Sequence, residues 1–392
     1  MDKLKIAIVV QRYGEEVNGG AEQMSRWLAE HLLSVADVDV ITTCAIDYNT
    51  WEDAYPSGES ELNGVHIHRF AVDSPRTADM GARTLALRYQ QHTLFDEFEW
   101  VRDQGPYSSA LLKFIHESRE QYDFFIFVTY LYATAFFGLP LVSDKAILVP
   151  TAHEEWYIEL PAFRALFHLP ELIVYLTQPE MFHVHRVIGN DQVPGVIVGV
   201  GINTPDDVSA VRFREKYRLD GEFLIYVGRI DEAKNVPELL EFFARFQEDY
   251  GRDLSLVLLG KAQFPLPDQP DIIPLGFVSE QDKFDALQAA TLLVVPSKYE
   301  SLSMVALEAW KVGTPVLVNG RCAVLKHQCR QSNGGLYYHT YDEFALTLQT
   351  LLENPVMRHE MGRQGSKFAN TKYDWDIIIA KYKAIFETLS GR

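Results

Sequence analysis

The feature that most constrains this chain is a series of short, predominantly apolar runs, each leading into a helical segment. Lys5-Ile-Ala-Ile-Val-Val10, Val38-Asp-Val-Ile-Thr42, Tyr122-Asp-Phe-Phe-Ile-Phe-Val128 and Ala146-Ile-Leu-Val-Pro150 occupy the first half. Phe223-Leu-Ile-Tyr-Val227, Leu254-Ser-Leu-Val-Leu-Leu259 and Thr291-Leu-Leu-Val-Val295 occupy the second, with a short run at Ile272-Ile-Pro-Leu275. A strand with one wet face alternates apolar and polar residues. A strand apolar throughout is covered on both faces, as in a parallel sheet layered with helices. The segments between the runs have helical spacing, as in 21–33, where Met24, Trp27, Leu28 and Leu32 share one face. The expectation is α/β, doubly wound, and built twice.

A chain of 392 residues exceeds one comfortable core. Two domains are expected: 1–200, joined by a returning C-terminal helix at about 375–392, and 201–374. Gly195-Val-Ile-Val-Gly-Val-Gly201 reads as the crossing between them. The formal net charge is −18, which argues against a nucleic-acid surface and against broad adhesion to anionic lipid. No apolar run reaches eighteen residues, and a cytoplasmic protein is the expectation. Three cysteines cannot make a disulfide framework, and Cys322, His327 and Cys329 lack a fourth ligand at finger-like spacing. Asp37-Val-Asp39 has the D-x-D form of a metal motif but sits at the start of a strand, away from the ligand-binding end, and reads as a structural edge. His66 and His68 alternate on one strand and read as surface. No metal is expected in the site.

Pro296 stops the run at 291–295, a polar turn carries Glu300 and Ser301, and a helix follows from Met304 to Lys311. A strand that turns straight into a helix aims unpaired N–H groups, here those of Leu302, Ser303 and Met304, at whatever lies above the sheet. That is an anion site. Glu300 and Glu308 would repel a phosphate but are suited to accepting from hydroxyls. Spacing alone leaves a solvated pair of acids equally open. Gly228-Arg-Ile-Asp-Glu-Ala-Lys-Asn235 follows another strand and offers Arg229 and Lys234, cations able to stabilise a diphosphate leaving group. Gly19-Gly20 form a strand-to-helix turn that lets a ligand approach the backbone. The G-x-G-x-x-G of nicotinamide enzymes is missing there. His153 lies just past the carboxyl end of a strand, with Glu154 and Glu155 beside it and no basis for ranking the two acids.

These residues resemble the retaining GT-B glycosyltransferases, and most of all glycosyltransferase family 4 (glycosyl transferases group 1). The points of resemblance are Glu300 and Glu308 as E-x7-E, Gly313-Thr-Pro-Val316, Gly19-Gly-Ala-Glu22, and the Gly-Arg…Lys-Asn of 228–235. Ser303 stands where the family usually has Gly, and Trp310 where it often has Met. The resemblance implies a GT-B fold, two doubly wound Rossmann-like domains facing across a cleft. It implies transfer of a hexose from a nucleoside diphosphate sugar, UDP-glucose for preference, to a hydroxyl of a glycan or lipid-linked acceptor, with no cofactor and no required metal. His153, Glu300, Arg229 and Lys234 would be catalytic. Gly19, Gly20, Arg229, Lys234, Leu302, Ser303, Met304 and Glu308 would bind the donor, with Phe277 and Val278 against the nucleobase. Residues 76–104 would meet the acceptor, and peripheral membrane contact would follow from a lipid-linked one. A GT-B epimerase, or a non-catalytic sugar-nucleotide-binding protein, is the alternative.

Overall fold

The computed structural model describes residues 3–77 and 79–391. The chain falls into two compact units, Met1–Gly201 with Ile378–Arg392, and Ile202–Ile377.

The N-terminal unit is built on an eight-stranded sheet. Its strands are β1 (Leu4–Val9), β2 (Ala36–Thr43), β3 (Gly58–Leu62), β4 (Val65–Phe70), β5 (Phe124–Val128), β6 (Ala146–Val149), β7 (Leu172–Tyr175) and β8 (Gly195–Ile197), in the spatial order β3-β4-β2-β1-β5-β6-β7-β8. All pairs are parallel except β3 with β4. β1 and β5 are buried from Ile6 to Val9 and from Phe124 to Val128, as continuous apolar runs require. The helix Gly20–Leu32 lays Met24, Trp27, Leu28 and Leu32 inward. On the other face Leu111 and Ile115 of the helix Ser109–Glu117 join Phe125, Phe127 and Leu148 in one core.

Two of these strands were not expected. β7 is a plain apolar run, Leu172-Ile-Val-Tyr175, whose signal was present. β3 is Gly-Glu-Ser-Glu-Leu, polar and exposed, and pattern alone does not mark it. The clue lies in the turn: Asn63 and Gly64 have φ of 51° and 82°, the left-handed pair that joins two strands tightly.

The second unit carries a six-stranded, wholly parallel sheet. Its strands are β9 (Glu222–Val227), β10 (Leu254–Leu259), β11 (Ile272–Gly276), β12 (Leu292–Val295), β13 (Val316–Asn319) and β14 (Gly335–Tyr338), in the order β11-β10-β9-β12-β13-β14. β9 sits in the middle and the order reverses between β9 and β12, the topological switch beside which ligands bind in such sheets. Leu292, Leu293, Val294 and Val295 are at most 3% exposed. Each contributes about 1.5–3 kcal/mol by leaving water.

Trp310 occupies a position cut for it. It is fully buried, its Nε1 donates to Gly334 O at 2.9 Å, and its ring lies against Gly334 and Gly365. A Cβ at Gly365 would come within 2.2 Å of the indole. The two glycines make the room that the indole takes up.

Candidate functional site

In the second unit two strand-to-helix loops at the carboxyl ends of β9 and β12 are tied together. Asn235 holds φ of 58° and donates its Nδ2 to Pro296 O at 3.1 Å, while Asn319 Nδ2 reaches the same oxygen at 2.9 Å. One carbonyl at the end of β12 thus receives two buried amides, which fixes the neighbouring loops against each other. Gly228, with φ of 145°, and Gly260, with φ of 144°, pass so closely that a Cβ at Gly260 would fall 1.9 Å from Gly228 O.

This framework sets the charged side chains. Lys234 Nζ donates to Glu300 Oε1 at 2.7 Å, and Lys234 N donates to Asp231 Oδ1 at 2.8 Å. Arg229 is exposed and stands 3.4 Å from Asp231. The helix Met304–Lys311 starts where the sequence pattern predicts, with no side chain capping it. Ser303 is its N-cap, so the unpaired amides of the first turn begin at Ser303 and Met304 and run on into the helix; Leu302 lies one residue ahead of them. Ser303 is 2% exposed, and its Oγ has no hydrogen-bond partner. A buried, unpaired hydroxyl beside an uncapped helix start is a donor waiting for an acceptor.

Glu308 is buried and already paired through one of its oxygens. It is 3% exposed, and Lys283 Nζ donates to its Oε1 at 2.9 Å. Burial raises the Glu308 pKa, and Lys283 opposes that rise. Burial alone would lower the Lys283 pKa, but Glu308 and Glu280 carry it upward. Ion pairing therefore consumes one carboxylate oxygen and leaves Oε2 as the acceptor for a hydroxyl. Lys283 was missed by sequence reasoning: it stands in the helix Glu280–Ala289, and only folding brings it to Glu308. Phe277 and Val278 fall in the turn between β11 and that helix, where Phe277 is 73% exposed, a large apolar ring offered to solvent.

In the first unit Gly19 caps the helix Gly20–Leu32 with φ of 153°. A Cβ there would meet Glu22 Oε2 at 2.1 Å, whereas one at Gly20 meets nothing within 4 Å. Gly19 is therefore required by its own loop, and Gly20 leaves space above the backbone. Glu22 and Arg12 are both buried, and Arg12 also donates to Asn18 O, 3.1 Å away, and to Ile46 O. This buried pair fixes the Gly-Gly turn from beneath.

His153 follows β6 through Pro150 and Thr151, a β-branched residue at φ of 52°. Such a conformation persists only where surrounding contacts enforce it. Glu180 supplies one: its Oε1 accepts from Ala152 N at 2.7 Å and its Oε2 from Leu176 N at 2.6 Å. Burial pushes the Glu180 pKa up to about 8, against those amide bonds. His153 Nδ1 lies 3.1 Å from Glu155 Oε2. Tyr130 donates to Glu155 Oε1 at 2.7 Å and Tyr157 to Oε2 at 2.8 Å. The structure thus ranks the two acids left open by the sequence. Glu155, 10% exposed at its side chain, partners the imidazole, while Glu154 is half exposed and 3.9 Å from Arg186.

Asp37 and Asp39 part company. Asp37 pairs with Lys3 at the surface. Asp39 is buried and stands beside His66 and His68, so the acid read as an edge and the histidines read as surface form one cluster.

The comparisons with known proteins bear on the domain and the fold. Residues 207–368 match the model of the family described as glycosyl transferases group 1. An uncharacterized glycosyltransferase of Methanocaldococcus jannaschii is 28% identical over 179 residues, 43% of this chain; the chain spans just under half of that relative's length, 45%. Among solved structures, the sucrose-phosphate synthase of Thermosynechococcus elongatus superposes with a TM-score of 0.77 at 16% identity, covering 99% of both chains. Anabaena HepE in complex with UDP-glucose gives 0.68 at 14% identity, covering 99% of this chain and 100% of that one. The second unit therefore carries a glycosyl transferases group 1 domain, in a chain whose α/β fold of parallel sheets is that of the GT-B glycosyltransferases.

Proposed function

We propose that this protein is a retaining hexosyltransferase that moves glucose from UDP-glucose to a hydroxyl of a glycan or glycolipid acceptor. The observation that carries the reading is the group at the carboxyl ends of β9 and β12. Lys234 is paired with Glu300, Arg229 stands beside them, and an uncapped helix start holds the orphaned Ser303 hydroxyl. A diphosphate fits each part. It takes Lys234 and Arg229 as counter-charges and the amides and hydroxyl at Ser303 and Met304 as donors. Lys234 then leaves Glu300, which is released to accept from the sugar hydroxyls. Glu308 Oε2 accepts from the ribose, and Phe277 with Val278 covers the base. A UDP-glucose complex among proteins of this fold supports the choice of nucleotide.

As the bond from the anomeric carbon to the diphosphate breaks, negative charge grows on the leaving oxygen, and Arg229 and Lys234 stabilise it. The acceptor oxygen bonds to that carbon, and its proton passes to the departing diphosphate. His153, oriented by Glu155, contacts the sugar near the reacting carbon, and Gly20 admits the donor close to the backbone. Two fixed cations supply the positive charge, and this reading has no metal step. The protein works in the cytoplasm, at the inner membrane face where the acceptor is lipid-linked. No helix among the described residues is long and apolar enough to cross a membrane.

Calorimetric titration with UDP, GDP and ADP, then with their glucose conjugates, tests the proposal. Selective UDP and UDP-glucose binding that disappears in Arg229→Ala is the expected result. Binding of none of them would sink it.

A further inference from the structure

The group formed by Asp39, His66 and His68 belongs to none of the chemistry above. In the sheet register Asp39 lies opposite His66, while Glu59 and Glu61 of β3 lie opposite His68 and His66. All therefore project from one face of three neighbouring strands. Each of Asp39, His66 and His68 offers one ligand atom, and those atoms lie within 4.8 Å of one another.

The distances carry the argument. His66 Nδ1 is 3.7 Å from Asp39 Oδ1, and His68 Nε2 is 3.6 Å from Asp39 Oδ2. Both exceed hydrogen-bond length, so polar atoms are gathered without closing bonds to each other. A tetrahedral zinc with bonds of about 2.0–2.1 Å spaces its ligands by roughly 3.4 Å. The two imidazoles approach different oxygens of Asp39, and one ligand atom from each residue lies within 4.8 Å of the others, so closing on a single ion needs a shift on the order of 1 Å, which the half-exposed His66 can make.

The surroundings are arranged to match. Tyr122 OH donates to Asp39 Oδ2 at 2.7 Å and Lys5 Nζ lies 3.2 Å from the same oxygen, which locks the carboxylate and keeps Oδ1 toward His66. Lys5 is 41% exposed and can turn to water when a cation arrives. On the far side of the rings one carboxylate faces both outer nitrogens: Glu59 Oε2 is 3.6 Å from His66 Nε2, and Oε1 is 3.7 Å from His68 Nδ1. Neither distance is a hydrogen bond, but a small movement of Glu59, 70% exposed at its side chain, would let it accept from an outer N–H, the contact that orients a metal-bound imidazole and raises its basicity. Two imidazoles and one carboxylate suit zinc or a similar borderline divalent ion.

The geometry points to a divalent-metal site of the zinc class, ligated by Asp39, His66 and His68 and supported by Glu59, that fastens the edge hairpin β3–β4 to β2. It is separate from the rim that holds His153. Asp39 is level with Ala7, Phe125 and Ala146, the first residue of β6, whereas His153 lies beyond the other end of β6. Its effect is on the stability of the hairpin, whose outer strand β3 is exposed.

The test uses the full chain, stripped with a chelator and titrated with Co²⁺, whose visible absorption reports a tetrahedral site, and then with Zn²⁺. The expected result is one Co²⁺ per chain, displaced by Zn²⁺, with a higher melting temperature in either metal. His66→Ala and His68→Ala should each lose the tetrahedral band, and Glu59→Gln should weaken binding by about 10- to 100-fold. Circular dichroism checks each variant's fold. If His68→Ala does not fold, the half-exposed His66→Gln gives the same reading. UDP affinity should not change in any of them. A wild-type protein without a tetrahedral band overturns the proposal, as does a band that survives both histidine changes.

Discussion

The loops after β9 and β12 in the second unit and the loop after β6 in the first deal with charge in different ways. In the second unit acids and bases come in matched pairs: Lys234 with Glu300, Lys283 with Glu308, Arg229 with Asp231. In the first unit the central acid, Glu155, is held by two tyrosine hydroxyls and an imidazole. An ion pair can exchange one partner for a ligand of the same sign. A carboxylate fixed by neutral hydroxyls has nothing to exchange and serves to hold its neighbour. The first arrangement suits a site that receives a dianion, and the second a site that must keep one imidazole in a set orientation.

The largest effect should come from breaking an exchangeable pair. Lys234→Ala removes a cation from the diphosphate and leaves Glu300 to repel it. Transfer should fall by about 10²–10³-fold. Stability should change little, because the pair is part-exposed. Steady-state rates beside a urea melt decide it. A variant that keeps its rate would remove Lys234 from the chemistry.

The buried pair answers differently. Glu308→Ala leaves Lys283, which is 9% exposed, with the half-exposed Glu280 as its one counter-charge among the described residues. The cost is about 3 kcal/mol of folding stability, at the lower end for a broken buried pair because Glu280 remains. The variant would thus lose nucleotide binding for two reasons at once. Glu308→Gln separates them, since the amide oxygen can still accept from Lys283. Weaker UDP binding in a Glu308→Gln protein of near-normal stability supports the ribose role, and unchanged affinity ends it.

The same contrast explains which parts were legible beforehand. The central parallel strands were, because burial on both faces leaves a largely apolar run; β7 carries the same signal although it was not expected. So was the helix Met304–Lys311, bounded by Pro296 and Gly313, and the bases Arg229 and Lys234, which follow a strand within eight residues. Strand β3 was not, since a polar edge strand has no periodic signature beyond its Asn-Gly turn. Nor was the pairing of Glu308 with Lys283, or of Asp39 with His66 and His68, because neighbours on parallel strands or separate helices are far apart in sequence. Choosing Glu155 over its neighbour Glu154 needed the backbone turn, which sends one side chain inward among tyrosines and the other to solvent. Local chemistry could be read, but its partners are tertiary.

A pH profile sharpens the account of the first unit. Glu180 has its pKa pushed up to about 8 by burial, from an ordinary 4.5. An acid with a raised folded pKa is fully protonated in both states below 4.5 and costs nothing there. As pH rises, the unfolded chain ionises first, and stability falls until the folded group ionises near 8, after which it levels. The slope contributed by this residue is at most about 1.4 kcal/mol per pH unit. Glu180→Gln should flatten the fall measured by urea unfolding between those limits. A profile identical to the parent would mean that Glu180 ionises in the folded protein as it does in the unfolded one.

The smallest effect, and the one that most directly probes how Glu155 is held, is expected from Tyr157→Phe. The change removes one hydroxyl from the carboxylate and leaves Tyr130 and His153 in place. Its thermodynamic cost should be about 1–2 kcal/mol, that of one hydrogen bond to a buried charged group. Burial raises the Glu155 pKa, while His153 and the two hydroxyls pull it back. Removing a hydroxyl therefore raises it further. If the ionised Glu155 orients His153 during transfer, the acid limb of the rate profile must move to higher pH with the alkaline limb unchanged. Tyr130→Phe should do the same through the other oxygen. A stability loss with no shift of the acid limb would make these tyrosines packing residues. Lys234→Ala should lower the rate at every pH and leave that limb where it was, because a lost cation changes charge stabilisation and does not touch the carboxyl.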